Sequence, residues 1–348
     1  GERHLEVMVP MWTEEKLEEL LAAPTPALVD DMRRIDGDIL VLGAGGKMGP
    51  SLCRLAQRAA QKAGVSKKII AVSRFGDLAT STPLQEAGVH TLSCDLQNRE
   101  ELDKLPEVPN VVYMAGRKFG TDGNEWQTWG MNATLPAFVG EKYRNSRITV
   151  FSSGNIYAMV PPHTGGAVET DRVRPTGEYA MSCLARERAF EYASHRYGTK
   201  VFILRLNFAI DLRYGVLADI AARILRDEPI PLGTACFNCV WQGYANEVAI
   251  RGLLHADSPS RVMNVTGPET LSVEKTALKL GKLLDKKPSF SSHPQDDAYL
   301  SDASLALELF GYPSVPAETL VKWQAEWIRS GGRNLNKPTH FEERGGVY

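Results

Sequence analysis

Glycines spaced three residues apart follow a short apolar run, Ile39–Leu42, near the start of the chain. The run is typical of a parallel strand buried on both faces, and residues 51–62 have apolar side chains at helical spacing. A strand, a glycine turn and a helix together can bind a diphosphate, because the turn brings backbone N–H groups and the helix N-terminus to the anion. A structural turn alone would also explain the glycines, but the flanking strand and helix favour dinucleotide binding. The residues of this turn expected to contact the cofactor are Gly43, Gly46, Lys47, Met48 and Gly49.

The end of the second predicted strand, 68–72, bears on which dinucleotide binds. An acidic residue here would bind the ribose hydroxyls of adenosine, whereas an arginine accommodates a 2′-phosphate. A guanidinium also matches phosphate geometry and stacks on adenine. Ser73 and Arg74 therefore favour NADP over NAD, with NAD as the alternative if Arg74 is only a solvated loop charge.

Two later segments carry side chains able to move a proton. The fifth predicted strand, 148–151, runs into Ser152-Ser153-Gly154-Asn155-Ile156-Tyr157, and a helix begins with Tyr179-Ala180-Met181-Ser182-Cys183-Leu184-Ala185-Arg186-Glu187. Taken with the glycine turn, they resemble the S-S-x-x-x-Y and Y-x-x-S-K-x-x-x-E motifs of the extended short-chain dehydrogenase/reductase family, the NAD-dependent epimerase/dehydratase type. The resemblance covers roughly residues 38–330. It implies hydride transfer with Tyr179 as acid/base and Ser153, rather than Ser152, orienting the substrate oxygen.

Cys183 stands where this motif has a lysine. A lysine one helical turn from a tyrosine lowers the pKa of the phenol from about 10, and in the family it also holds the nicotinamide ribose. A neutral thiol does neither, so Cys183 is a small buried side chain in a remodelled or inactive site, or a thiolate that needs a cationic neighbour. Arg186, on the same helix face, is a candidate for the missing cation. The predicted catalytic residues are Ser153, Tyr179 and Cys183.

The resemblance implies further contacts with the ligands. Asp95 resembles the aspartate at the adenine edge, although it could equally cap a helix at 97–105. Asn132, inside a predicted helix at 126–143, resembles an asparagine that orders backbone and water near the site. Besides the glycine turn, the expected cofactor contacts are Ser73, Arg74, Asp95, Leu96, Met114, Ala115, Gly116, Asn132, Tyr179, Asn207 and Phe208. The expected substrate contacts are Lys118, Ser153, Asn155, Tyr157, Trp241 and Gln242.

The elements that must position these residues indicate an α/β fold, a doubly wound parallel sheet (Rossmann) with a smaller C-terminal substrate lobe. A helix from Thr13, with Leu17, Leu20 and Leu21 on one face, should end at Pro24 and Pro26. The predicted organisation is an N-terminal helical arm at 1–37, the dinucleotide-binding domain at 38–206, a mixed segment at 207–330 that completes the sheet and forms the lobe, and an extended tail at 331–348.

Bulk properties restrict the partners. A net charge of −2 argues against nucleic acid or an anionic membrane surface, and no apolar run approaches the roughly 18 residues that cross a bilayer. Five scattered cysteines and no visible leader favour the reducing cytoplasm, and neither they nor the seven histidines show metal-ligand spacing. By the resemblance, the helices holding Asn132 and Tyr179 pair in a homodimer, to which Trp126, Trp129, Phe138 and Phe190 would contribute apolar surface.

Three hypotheses on function remain. The first is an oxidoreductase or epimerase acting by hydride transfer on a sugar or sugar-acid derivative. The second is a cofactor-binding sensor or scaffold whose catalysis was lost with the lysine. The third is a nucleotide-sugar epimerase or dehydratase, which is weakened because Trp241 and Gln242 stand near where such enzymes carry a basic residue.

Overall fold

The apolar runs of the sequence form one seven-stranded, wholly parallel sheet in the computed structural model, which describes residues 11–76 and 78–348. The first ten residues of the predicted arm lie outside the described residues. Across the sheet the strands run in the order β11-β6-β5-β4-β1-β2-β3. The strands are β1 (Ile39–Leu42), β2 (Ile69–Ser73), β3 (His90–Ser93), β4 (Asn110–Tyr113), β5 (Arg147–Ser153), β6 (Lys200–Leu206), β7 (Ala209–Ile210), β8 (Ile230–Pro231), β9 (Cys236–Phe237), β10 (Val240–Trp241), β11 (Arg261–Val265), β12 (Leu271–Ser272) and β13 (Phe290–Ser291). This order confirms the predicted doubly wound sheet.

Helices cover the two faces of the sheet and build the C-terminal lobe. They are α1 (Glu14–Leu21), α2 (Pro26–Arg34), α3 (Gly49–Ala63), α4 (Leu78–Glu86), α5 (Arg99–Asp103), α6 (Glu125–Trp129), α7 (Leu135–Lys142), α8 (Gly177–Tyr197), α9 (Val216–Leu225), α10 (Gln242–Arg251), α11 (Val273–Leu284), α12 (Ser304–Phe310) and α13 (Ala317–Arg329). In the described parts of the chain, none of these helices is long and apolar enough to cross a membrane.

Strand register brings the site residues to one edge. Leu42, the last residue of β1, pairs with Val72 of β2 and with Tyr113 of β4. Ser153, the last residue of β5, pairs with Leu206 of β6. Because the strands are parallel, the segments that follow them meet outside the carboxyl ends, where ligands bind in such sheets.

The N-terminal arm contains two helices rather than the one predicted. α1 begins as expected, with the Thr13 hydroxyl accepting from the backbone of Lys16, but Leu20 is exposed. Pro26 starts α2 instead of ending α1, because a proline at the first helical position loses no intrahelical hydrogen bond. α2 packs on α3 of the same chain.

Three local predictions differ from the structure. The helix expected at 97–105 is only α5, and its cap is the Asn98 side chain rather than Asp95. The helix expected at 126–143 is interrupted by a π-helical turn at Gly130–Thr134, which holds Asn132. The tail expected to lie over a surface instead buries Thr339 and Phe341 against the C-terminal lobe.

Candidate active site

The glycine turn has the geometry that its sequence predicts. Gly43 adopts φ +82°, and a Cβ there would lie 2.5 Å from the backbone nitrogen of Ala115. A Cβ on Gly49 would lie 2.3 Å from the carbonyl oxygen of Ala44, so only glycine allows this close contact between α3 and the turn. A Cβ on Gly46 would meet only the Gly43 carbonyl oxygen, at an ordinary contact distance of 3.7 Å. Among the described residues, no side chain caps α3, which leaves its N-terminal N–H groups for a bound anion.

A cleft of about 620 Å³ opens beside this turn, a size typical of ligand sites. It brings together many residues that the sequence assigned to the cofactor. Its lining includes Gly43, Gly46, Ser73, Arg74, Asp95, Leu96, Met114, Ala115 and Gly116. Sequence reasoning missed Gln97, Arg117, Trp126, Gln127 and Met131, which also line the cleft. They belong to loop and helix segments that carried no motif.

An ion pair closes one end of the cleft. The Arg74 guanidinium lies 2.9 Å from the Asp95 carboxylate, and the Arg74 backbone carbonyl accepts from the Ser93 hydroxyl at 2.8 Å. The Arg74 side chain is 69% exposed, so the pair contributes little stability and the guanidinium remains available to a ligand.

Asn132 fastens the loop after β4 to α8. Its side-chain oxygen accepts from the Arg117 backbone N–H and from the Arg186 guanidinium, both at 2.8 Å. Its amide group donates to the Arg117 carbonyl at 2.8 Å and to the Ser182 hydroxyl at 3.0 Å. These four bonds use the whole hydrogen-bonding capacity of the side chain. Asn132 therefore orders backbone, as expected, but has no group free for the expected direct contact with a cofactor.

Ser153, Tyr179 and Cys183 come together where β5 ends and α8 begins. The Cys183 side chain is fully buried, and both it and the Ser153 side chain interact with the Tyr179 phenol. Burial raises the pKa of Tyr179 well above its usual range, and Ser153 and the Arg186 charge oppose that rise. Burial also raises the pKa of Cys183, which argues against a thiolate nucleophile.

Two lysines stand near the same site. The Lys118 ammonium lies 4.5 Å from the ring centre of Tyr348 and 5.4 Å from that of Tyr179. The Lys47 ammonium lies 3.4 Å from the ring centre of Tyr214. Burial lowers the pKa of each lysine to about 8. Their cationic forms are therefore costly in this setting, and an anionic ligand would stabilise them.

The end of the tail reaches into the site, which the sequence did not predict. The Tyr348 phenol oxygen accepts from the Asn155 side-chain amide at 2.7 Å, and its ring lies edge-on to Tyr179 at 5.6 Å. Nearby, a Cβ on Gly177 would lie 2.2 Å from the carbonyl oxygen of Gly346, so the tail passes directly over the start of α8. Asn155 is thus at the site, as expected, but its amide is engaged by the tail.

The NAD-dependent epimerase/dehydratase family model matches residues 39–234, more than half of the chain. The chain belongs to this family. The match confirms the predicted resemblance and the prediction of an enzyme of this type that uses a nicotinamide dinucleotide. No curated protein matches the chain.

Solved structures of known enzymes share the fold at low sequence identity. A UDP-glucose 4-epimerase from Thermus thermophilus, in complex with NAD, is 17% identical with a TM-score of 0.68, covering 84% of this chain and 99% of its own. A dTDP-glucose 4,6-dehydratase from Bacillus anthracis, in complex with NAD, is 17% identical with a TM-score of 0.70, covering 84% and 97%. A UDP-glucose 4-epimerase from Thermotoga maritima, with UDP-glucose, is 19% identical with a TM-score of 0.67, covering 84% and 99%.

Within this family site, the structure buries the predicted substrate contact Tyr157, together with Ser152, the alternative to Ser153. The Tyr157 hydroxyl donates to Asn264 at 2.7 Å and accepts from Arg205 at 2.8 Å, and only 2% of the residue is exposed. Arg205 in turn binds the Glu187 carboxylate, which also accepts from the Ser152 hydroxyl. Tyr157 and Ser152 are therefore parts of a buried polar network around an ion pair rather than substrate contacts.

Four other predicted contacts do not line the cleft, because their side chains pack against or hydrogen-bond to other residues. Trp241 packs edge-on to Trp323 at 5.4 Å, and the Gln242 amide donates to the Ser51 hydroxyl at 2.9 Å. The Asn207 amide donates to the Tyr299 carbonyl at 3.2 Å. Phe208 packs on the core of the C-terminal lobe.

Proposed function

We propose that this family member is an NADP(H)-dependent oxidoreductase or epimerase that acts on a hydroxyl or carbonyl group of a sugar or sugar-acid derivative. The observation that carries the proposal is the meeting of Ser153 and Tyr179 after β5, at the same carboxyl edge of the sheet where the cleft beside the glycine turn opens. This is where a doubly wound sheet binds a dinucleotide.

The residues of the cleft fit such a cofactor. The backbone at Gly46, which lines the cleft, and the uncapped start of α3 would hold the diphosphate, and Arg74 would reach a 2′-phosphate on the adenosine ribose. Ala115 and Gly116, the small residues of the segment 114–116 after β4, would let the cofactor lie close to the backbone.

The protein's own groups would handle the proton. In the oxidation direction, Tyr179 as phenolate would take the hydroxyl proton of the substrate as its carbon becomes a carbonyl, and in the reduction direction Tyr179 would give the proton back. Ser153 would donate a hydrogen bond to the same substrate oxygen and fix its position. A bound nicotinamide would supply the matching hydride acceptor and donor for oxidation, reduction or epimerisation.

The two lysines support an anionic substrate. Lys118 and Lys47 are enclosed cations at the substrate side, and no carboxylate among the described residues hydrogen-bonds either ammonium. A sugar acid would supply the missing negative charge. A nucleotide sugar would also do so, and the likeness in fold to a dTDP-glucose dehydratase and a UDP-glucose epimerase favours this second candidate.

A substrate panel tests the proposal. Purified protein is mixed with NADP⁺ and sugars, sugar acids, UDP-glucose or dTDP-glucose, and the absorbance of reduced nicotinamide is followed; epimerisation is read by separating the sugars. Turnover with a sugar acid that is lost in Ser153→Ala supports the proposal. Tight cofactor binding without turnover on any class would instead support the sensor.

We also propose a homodimer in the cytoplasm. Met181 and Tyr192 on α8 are large, exposed side chains, which suits pairing of this helix with a second copy. Phe190 does not contribute as expected, since it is buried against Tyr113 in the subunit core. Sedimentation of the wild type and of a Tyr192→Glu variant tests the pairing, and a wild type that remains monomeric at micromolar concentration contradicts it.

A further inference from the structure

Arg186 lies on α8 seven residues after Tyr179, and its buried guanidinium has no carboxylate partner among the described residues. It donates to the Phe151 backbone carbonyl and to the Asn132 side-chain oxygen, both at 2.8 Å, and only 6% of the residue is exposed. Its Nε atom has no hydrogen-bond partner among the described residues. Burying a charge without a counter-ion costs several kcal/mol, so most buried guanidinium groups are paired with a carboxylate.

Four groups near the Arg186 guanidinium in the described part of the chain could carry a negative charge. On its own helix it faces Tyr179, Cys183 and Glu187, and from β4 it faces Tyr113. Glu187 already forms a multidentate pair with Arg205. The Tyr113 hydroxyl is buried and lies 3.3 Å from the Met131 carbonyl, and burial keeps its pKa above the usual range.

Tyr179 and Cys183 are the groups left to carry a compensating negative charge. Only Tyr179 also lies beside Ser153, at the place where a substrate oxygen would give up its proton. In the reduction direction Tyr179 would give its proton to the substrate oxygen, and the phenolate left behind would complete the ion pair that Arg186 lacks while Tyr179 is protonated.

The second cation near Tyr179 is Lys118, on the loop after β4. Its ammonium lies among the rings of Phe119, Tyr179 and Tyr348, at 5.5, 5.4 and 4.5 Å from their centres. An ammonium among aromatic rings is attracted to their faces, but it is not held by hydrogen bonds to fixed protein oxygens as Arg186 is. Lys118 is thus placed to meet a ligand, whereas Arg186 is placed to act on Tyr179.

We propose that Arg186 replaces the lysine missing at position 183 as the positioning residue whose charge stabilises the Tyr179 phenolate. The inference rests on the proposed role of Tyr179 as acid/base, and it assigns to the chain's own arginine a charge that the motif places four residues after the tyrosine. Because a guanidinium does not lose its proton in proteins, Arg186 acts only through its charge and cannot relay a proton.

The test measures the protonation of Tyr179 directly and needs no substrate. The protein is labelled with difluorotyrosine, whose phenol is more acidic than that of tyrosine. The label therefore brings the titration to pH values at which the protein stays folded, and the fluorine resonances are followed as the pH is changed. Tyr179→Phe identifies the resonance of interest.

Arg186→Gln keeps an amide donor for the Asn132 oxygen but removes the charge. Loss of a cation destabilises the phenolate, so the pKa of Tyr179 should rise by about one unit or more. Arg186→Lys should keep most of the effect, and Cys183→Lys in the Arg186→Gln background should bring the pKa back down. Arg188→Gln is the matched control, because Arg188 lies on the same helix but pairs with Glu191 at the surface.

An unchanged Tyr179 titration in folded Arg186→Gln protein overturns the inference. If Arg186→Gln does not fold, Arg186→Met decides instead, because an apolar side chain of similar length removes the charge without burying a new polar group. The pKa of Tyr179 should again rise, and an unchanged titration in the folded variant overturns the inference. Failure of the substrate panel with a positive titration would refute the enzyme assignment alone, so the two proposals fail separately.

Discussion

The Arg74–Asp95 pair at the adenosine end of the cleft gives a quantitative prediction on cofactor choice. We expect Arg74→Ala to weaken binding of NADPH and to leave binding of NADH nearly unchanged, because only NADPH carries a phosphate on the adenosine ribose. Asp95→Asn should strengthen NADPH binding, since the guanidinium then no longer divides its hydrogen bonds between the phosphate and a carboxylate 2.9 Å away.

The expected change in the free energy of NADPH binding depends on how exposed the Arg74–Asp95 pair is. A charge-assisted hydrogen bond contributes about 1.5–3 kcal/mol, and an exposed ion pair that must be loosened to form it costs about 0–1 kcal/mol. Arg74 and Asp95 are 69% and 35% exposed, so the lower cost for exposed pairs applies. The difference is about 0.5–3 kcal/mol, and the middle of this range corresponds to roughly a twentyfold change in dissociation constant. For Asp95→Asn the gain is at most about 1 kcal/mol, or roughly fivefold.

The assay is a fluorescence titration of each protein with NADPH and with NADH at fixed ionic strength. Arg99→Ala serves as the matched control, because Arg99 is also an exposed arginine paired with an aspartate, Asp103, but does not line the cleft. An Arg74→Ala variant that binds NADPH as the wild type does, or a wild type that prefers NADH, would show that Arg74 is only a loop charge.

Three further variants test the packing around the site. Gly49→Ala should destabilise the protein measurably in urea and weaken dinucleotide binding, because its Cβ would collide with backbone, whereas Gly76→Ala meets nothing within 4 Å and should be neutral. Glu187→Ala should cost about 3–5 kcal/mol of unfolding free energy by leaving Arg205 buried and unpaired, and a cost below 1 kcal/mol would mean that the pair is not buried as described. Tyr348→Ala should lower the KM of the substrate found in the panel several-fold, because a ligand no longer has to displace the tail; an unchanged KM would show that the tail does not cover the site.

The fold and the cofactor cleft could be predicted because their signals are local. Continuous apolar runs mark buried parallel strands, and the steric demands at Gly43 and Gly49 arise from residues within or next to the same strand–turn–helix unit. The residues that follow the strand ends therefore meet in the cleft as expected. The same local reasoning misplaced a helix boundary at Pro26, since proline is compatible with both the end of one helix and the start of the next.

The substrate side could not be predicted because its partners are remote in sequence. The Tyr157 hydroxyl hydrogen-bonds to Arg205 and Asn264, and the Asn155 side chain hydrogen-bonds to a tail residue 193 positions away. Whether a polar side chain faces a ligand or a buried partner depends on such contacts, which no motif encodes. For the same reason, the sequence could not decide which cation lies near Tyr179. Helical spacing places Arg186 on the same face of the helix as Tyr179, but it does not determine the position of the guanidinium group.

The most direct test of the account is the effect of Tyr179→Phe on turnover of the best substrate from the panel, with NADPH affinity measured in parallel. The account predicts that turnover falls by about 100-fold to 10,000-fold, the usual contribution of a general acid or base, while the cofactor dissociation constant changes little. Turnover that survives in Tyr179→Phe would contradict the claim that this phenol moves the proton.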